Sequence, residues 1–500
     1  MDYVIGCDIG SQGTKATLIS TTGQLIGETY EGYSIDYPHP LWAEQPVDRW
    51  LNALVLSLRR LLSESGASAG NVRALSLAAQ VDGVIPIDAD GQPLYPAIIW
   101  MDRRAGAQCE YIRQSLDDEQ IFQLTGLNLD PSHVAPKIRW LADRQPAVYE
   151  RAAHFLLPGS YIGYVLTGEL GVDYSNASST LLLDVKTKAW STIMGNIFDI
   201  DLNKLVPLGA ATATLGKLRP NMAEKLGLSI DTLVMVGCGD EHAACLGAGV
   251  IKPGIVGDIA GTAEPVCTAS SKPALDPARL VETHCHSDPE LWLLENPGFV
   301  SGGNYRWFRD QFTESETYIT LDSEAARVSP GADGLIFLPS LMGALAPTWN
   351  DAARGIYAGF TLAHTRGHFI RALLEGSAYA VRDIITQMQV VAGIELRELR
   401  VMSGGAKSQL WNQIKADVTG LQVHVPEITE TTALGAAFLA LVGIGAYGTL
   451  TEVSEHIVKI REHFEPDPAS SSRYAEAYER YRQTYFAMLP VFERAAKANS

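Results

Sequence analysis

Apolar positions change their period several times along the chain, and each change marks an element. Between Tyr3 and Tyr33 the β-prone residues fall into three runs: Val4-Ile5, Ala16 to Ile19, and Leu25 to Tyr33. A Gly-rich turn separates the first two and Thr22-Gly23 the second pair, so three turn-linked strands are predicted. The period then lengthens. Leu51, Leu54, Val55, Leu58, Leu61 and Leu62 recur near helical spacing between Val47 and Ser63, which predicts an amphipathic helix. Val72 to Ala78 reads as a buried strand, followed by a loop at Ala79-Gln80-Val81-Asp82-Gly83.

Three strands, a helix and a strand form the opening of a ribonuclease-H-like nucleotide-binding domain. A weaker echo follows halfway along. Gly257-Asp258-Ile259-Ala260-Gly261-Thr262 repeats the character of Cys7-Asp8-Ile9-Gly10-Ser11-Gln12-Gly13-Thr14, again with a β-like run behind it, Pro265 to Thr268. Each pairs an Asp at a strand end with a turn of small residues, so duplicated domains facing a cleft are expected. Val236 to Ile251 reads as strand, loop and a helix of small residues. The Pro253-Gly254 region is the best boundary, giving units of 1–249 and 250–500 in an α/β fold of two ribonuclease-H-like (actin/hexokinase-type) domains. From about Ser472 to Ala496 a last helix carries Tyr474, Tyr478, Tyr481 and Tyr485 on one stripe, which core packing explains most simply.

Length and composition narrow the functional classes. At 500 residues the chain exceeds one ordinary core. A net charge of -18, without any Lys/Arg run, argues against nucleic acid as a partner. No apolar run approaches the roughly 18 residues of a membrane span, and the N-terminus lacks a basic signal-like segment. Six scattered cysteines without a CxxC pair fit reduced thiols, so a cytoplasmic location is expected. Two clusters invite a metal reading. In His284-Cys285-His286, strand neighbours point to opposite faces, and Cys238, His242 and Cys245 converge only in a turn-to-helix geometry; neither is expected to ligate an ion.

The turns carry the candidate chemistry. Phosphates are held by bunched backbone N–H groups, hydroxyls and Mg2+. Gly10 and Gly13 allow close backbone approach, Thr14 adds a hydroxyl and Lys15 a charge, while Asp8 at the strand end could organise Mg2+ through water. Gly261-Thr262 is the matching turn for a γ-phosphate. Val401 to Asp417 reads as strand, Gly404-Gly405 turn and helix; Gly404, Gly405 and Ala406 let a flat base approach, with Ser408 at the helix start and Asn412 one turn on. No GxxxxGK[ST] loop is present. Gly443 to Gly448 spells GxGxxG, but it follows a helical run, which defeats a dehydrogenase reading.

These residues resemble the FGGY carbohydrate kinases through nearly the whole chain. The likeness runs through the first turn, Asp8 to Lys15, then Lys137-Ile138-Arg139-Trp140-Leu141, then Asp173-Tyr174-Ser175-Asn176-Ala177-Ser178 through Leu183-Asp184. The most specific match is Gly355-Ile356-Tyr357-Ala358-Gly359-Phe360, seven residues, then His368 to Glu375, with Phe360 where a smaller aliphatic is usual. The resemblance implies two domains closing on ATP and a sugar, and a catalytic Asp at Asp240 that also faces Mg2+. A carboxylate that orients the attacking hydroxyl and accepts its proton suits that role; the bland alternative is a helix cap.

For the acceptor, the resemblance points to Gln80, Val81, Asp82, Arg103, Asp240 and Glu241. Pentulose kinases of the family carry a Gln-Met-His-like run where this chain has Gln80-Val81-Asp82, and an amide where it has Glu241. A pentulose such as xylulose is the expected acceptor, with another ketose or a polyol such as erythritol as alternatives. Arg103, Asp82 and Glu241 could equally be solvated loop residues. An idle sugar-binding regulator and an actin- or chaperone-type ATPase share the fold; Asp8 with Asp240 weighs against the first, and the 137–141 and 173–184 matches against the second. A homodimer is the default assembly.

Overall fold

The computed structural model describes residues 1–314 and 316–499. The opening hairpins form as the periodicity predicts: β1 (Tyr3–Ile9), β2 (Gly13–Ser20) and β3 (Leu25–Gly32), then α1 (Val47–Ser65) and β4 (Val72–Ala79). Helix α1 buries Val47, Trp50, Leu54, Leu58 and Leu61 in the core of the first domain, each apolar side chain contributing about 1.5–3 kcal/mol when fully buried. After α2 (Val134–Arg144), strands β5 (Thr214–Lys217) and β6 (Leu233–Met235) complete the first sheet, ordered β5-β6-β4-β1-β2-β3. The strand before Asp240 ends at Met235 instead of running through Val236. The cause is Gly237, whose φ of +81° turns the chain and where a Cβ would lie 2.1 Å from Leu77 O. Cys238-Gly239 rejoins β4 before α3 (Asp240–Ala248) begins.

The second domain repeats the plan. It begins with β7 (Ile255–Ile259), β8 (Val266–Ser270), β9 (Glu282–Cys285) and β10 (Trp292–Asn296). The long α4 (Arg366–Ala392) precedes β11 (Glu398–Met402), α5 (Gln409–Thr419), β12 (Gln422–Pro426), α6 (Thr432–Gly443), β13 (Ile460–Phe464) and α7 (Pro468–Asn499). The sheet order is β9-β10-β8-β7-β11-β12-β13. In each half a strand ending in Asp-Ile pairs antiparallel with its hairpin partner and parallel with the next strand of the sheet: β1 with β2 and β4, β7 with β8 and β11. The tyrosine stripe of α7 is core: Tyr474, Tyr478, Tyr481 and Tyr485 are buried, and the Tyr474 hydroxyl accepts from Arg371 at 2.6 Å.

Two features lock the halves together. Helices α3 and α6, each following the last parallel strand of its half, cross with backbones in contact. A Cβ on Gly435 would fall 1.9 Å from Ala243 O, and one on Gly247 2.1 Å from Thr431 O. Only glycine permits that approach. Strand β9 also lies against the first domain. There the Asn128 backbone N–H and Nδ2 donate to Glu282 Oε1 at 2.9 and 3.0 Å, and Cys285 N donates to Ser178 Oγ at 3.0 Å. The start of α3 therefore sits at the domain junction.

Candidate active site

The loops after β1 and β4 and the start of α3 meet at this junction. Gly10 N donates to Gly13 O at 3.0 Å, closing the first turn, and the Tyr33 hydroxyl donates to Gly10 O at 2.6 Å. Gly10 is open, with nothing but Gly13 O and Asp8 Oδ1 near a built Cβ. Gly13 differs: the Tyr30 ring lies 2.5 Å from where its Cβ would be, so that glycine admits an aromatic ring. Thr14 is fully buried with its hydroxyl unpaired, and Lys15 leans toward Glu28 at 3.7 Å.

Gln80 is buried and connects this turn to the acceptor-side loop. Its Nε2 donates to Gln45 Oε1 at 2.9 Å; Gln45 in turn donates to Ser11 O at 2.8 Å, and Trp100 Nε1 donates to Ser11 Oγ at 2.7 Å. Gln45 was not foreseen; its contacts to Gln80 and Ser11 cross sequence gaps that no local pattern reveals. Val81 packs on Gly239, 2.8 Å from a built Cβ. Asp82 takes φ +58° and is 7% exposed, with Oδ2 held by His133 Nδ1 at 3.2 Å and Oδ1 unpaired. Arg103 is forked onto Asp130 at 2.6 and 2.8 Å, and Asp130 in turn acts on His133.

Asp240 is the first residue of α3, not its cap; Gly239 holds the cap position. Asp240 Oδ1 accepts from Glu241 N at 3.0 Å. Burial raises its carboxyl well above the usual carboxylate range, and Glu241 and Asp8 push it further. Asp8 rises to about 7, through burial against the pull of Lys15, and keeps a buried oxygen, Oδ1, without a partner. Two acids crowding each other, one with a free buried oxygen, form a donor set that fits a hard divalent cation held directly or through water. Glu241 is raised by burial and shares a hydrogen bond with Glu295 of β10, with Asp82 adding repulsion. Glu295 in turn faces His284 Nε2 at 3.4 Å.

Across the junction, the second-domain turns are stacked. Gly405 N donates to Ala260 O at 2.8 Å, and a Cβ on Gly405 would fall 2.5 Å from Ala260 Cβ. Gly404 and Gly261 stay open, and Thr262 is exposed. Ala406 is buried, and Asn412 braces it from below, donating through Nδ2 to Ala406 O at 3.0 Å. Ser408 caps α5 through Trp411 N at 3.1 Å and donates to Asp322 Oδ2 at 2.7 Å, so its hydroxyl is engaged in structure. Ser301 and Gly303 were also unforeseen: both backbone N–H groups donate to Thr262 O at 3.1 Å and hold the second turn in place.

Two cavities open elsewhere, about 250 Å³ beside Lys252 and Arg400 and about 460 Å³ beside Arg139 and Asn196. Neither touches Asp8, Asp82 or Asp240; the convergence of acids and open glycine turns locates the chemistry better than volume does.

Comparison with known proteins agrees with this geometry. Residues 3–247 match the N-terminal domain, and residues 259–444 the C-terminal domain, of the FGGY family of carbohydrate kinases. A xylulose kinase of Lactococcus lactis is 30% identical, with 97% of each chain covered. A gluconokinase of Bacillus subtilis is 29% identical, covering 92% of this chain and 91% of its own. The crystal structure of a xylulose kinase from Rhodospirillum rubrum superposes with a TM-score of 0.91 at 28% identity, covering 98% of this chain and 100% of its own. With both domain types matched in order around the Asp8–Asp240 junction, the chain belongs to the FGGY family of carbohydrate kinases.

Proposed function

We propose that this kinase transfers the γ-phosphoryl group of MgATP to a hydroxyl of D-xylulose, giving D-xylulose 5-phosphate, with another ketose or polyol as the alternative acceptor. The observation that carries the reading is Asp240: a half-buried acid at the start of α3, at the junction of the two domains, with Asp8 and Glu241 close enough to raise its proton affinity. Asp240 orients the acceptor hydroxyl and takes its proton as the oxygen bonds to phosphorus and the bond to ADP breaks. The elevated proton affinity of Asp240 favours that transfer.

Gly10, Gly13, Thr14, Lys15, Gly261 and Thr262 face the phosphates, and Gly404, Gly405 and Ala406 the base, with Asn412 and Ser408 bracing that turn. Gln80, Val81, Asp82 and Glu241 line the acceptor side, with Arg103 at the rim through Asp130. Asp8 and Asp240 would hold Mg2+, which supplies charge neutralisation at the phosphates. The sugar-binding unit is 1–249 and the ATP-binding unit 250–500.

The test is ADP release under MgATP with D- and L-xylulose, D- and L-ribulose, glycerol, erythritol and gluconate, with Asp240→Asn alongside. Turnover on one ketose that disappears in Asp240→Asn is the expected result. Turnover on a polyol alone retires xylulose, and turnover insensitive to Asp240→Asn rejects the base assignment.

A further inference from the structure

The charge arrangement around Asp82 narrows the acceptor beyond the family reading, on which this inference rests. Asp82 is held in an unusual state. Its backbone is left-handed, its side chain is buried, and one carboxylate oxygen is engaged while the other has no partner. A buried acceptor without a donor is costly, and a non-glycine residue in this backbone region adds strain. Such an oxygen is completed when a ligand brings a hydroxyl donor. His133, at the position just before α2 and making no cap bond to it, holds the other oxygen at 3.2 Å. Burial disfavours the imidazolium, yet Asp82 outweighs it and raises His133 to about 9; Asp82 thus faces a cation that fixes it as an acceptor.

The cations nearby are committed to protein partners. Lys137, one turn into α2, donates to Asp82 O at 2.6 Å, Ile99 O at 2.8 Å and Ser132 O, which uses all three ammonium protons. Arg103 is forked onto Asp130. Arg104 pairs with Asp102 at 2.7 Å and Glu44 at 2.8 Å, stacked against Trp42 and Trp140. On the acidic side stand Asp82, Asp240 and Glu241, with Glu282 and Glu295 behind them from the second domain. The charged groups of Lys137, Arg103 and Arg104 are each already paired, so an anionic acceptor would find acids around it and none of these three cations unpaired to receive its charge.

We infer that Asp82, positioned by His133, reads a hydroxyl of the acceptor and that the site selects uncharged polyhydroxy compounds over aldonates. This separates the chain from the gluconokinase relative, although the two are 29% identical. His133 acts through Asp82 and is a positioning residue.

The experiment compares acceptors of similar size that differ in charge. D-xylulose, xylitol and erythritol are set against D-xylonate and D-gluconate, with KM for acceptor and for ATP measured separately. The wild-type protein should show kcat/KM at least about 100-fold lower for the aldonates than for the best neutral acceptor. Asp82→Asn and His133→Gln should each raise the acceptor KM about 10-fold or more, leave the ATP KM within about twofold, and melt cooperatively. A purely structural role would shift both KM values or neither. An aldonate turned over as well as any neutral acceptor overturns the inference, as does an unchanged acceptor KM in folded Asp82→Asn. Should no acceptor give ADP, the kinase reading fails separately, and calorimetry with the same compounds decides the inference. Neutral polyol binding lost in Asp82→Asn supports it; tighter aldonate binding, or no polyol binding, overturns it.

Discussion

Asp8 and Asp258 occupy the same place in two copies of one topology, each the penultimate residue of a strand that runs antiparallel to one neighbour and parallel to the other. Their surroundings differ completely. Asp8 keeps an oxygen free, lies near Asp240, and has Lys15 across the hairpin leaning away toward Glu28. Asp258 is fully buried and pairs with Lys415 of α5 at 2.5 Å; the same ammonium also binds Glu264, just past the Gly261-Thr262 turn. Lys415 therefore ties both ends of one turn to the helix behind the other. Of two aspartates at the same place in one topology, one keeps an unpartnered oxygen and the other is spent as a brace.

The largest separation should appear in rate. Asp240→Asn and Asp8→Asn should each lower kcat by about 10²–10⁴-fold in ADP release, whereas folded Asp258→Asn should keep kcat within a few-fold. Equal losses at Asp8 and Asp258 would erase the distinction.

Stability should show the opposite order. Lys415→Met strands two acids in a dry core and should cost about 3–5 kcal/mol by urea unfolding, against under about 1 kcal/mol for Lys15→Met, whose partner is partly exposed. Converting Asp258, Glu264 and Lys415 together to Leu, Leu and Met should recover most of that loss.

The Asp82–His133 pair offers a pH test. The folded value of His133, about 9, lies above its unfolded value, so the pair's contribution is complete below about pH 6.5 and fades as pH rises through 9. The unfolding free-energy difference between wild type and Asp82→Asn should shrink over that window, by about 3 kcal/mol at most. A constant difference would remove the ion pair. The smallest effect is expected at the open turn: Gly404→Ala, where a Cβ meets nothing within 4 Å, should alter stability by under about 0.5 kcal/mol and register in the ATP KM instead.

Much of this organisation was legible in the sequence. The three opening strands, α1, β4, the Gly404-Gly405 turn before α5 and the tyrosine stripe all follow from periodicity and glycine placement, which depend on neighbours within a few residues. The Asp-Ile-turn echo disclosed the duplication because both copies retain the same local geometry. Partners far apart in sequence were out of reach. Nothing near His133 announces Asp82, 51 positions away, and nothing near Lys415 announces Asp258, 157 positions away. The Tyr30 ring against Gly13 comes from the neighbouring strand, and Ser408, read only as the helix start, also binds Asp322, 86 positions away.

The sequence by itself determined the two-domain α/β plan, the family, and Asp240 as the catalytic candidate, since short motifs and periodic burial are written locally. Only the tertiary structure decided which aspartate stays free, which cations are already committed and how closely α3 and α6 cross. Hydrogen-bond saturation and burial are properties of groups brought together by folding, and no stretch of chain contains them alone.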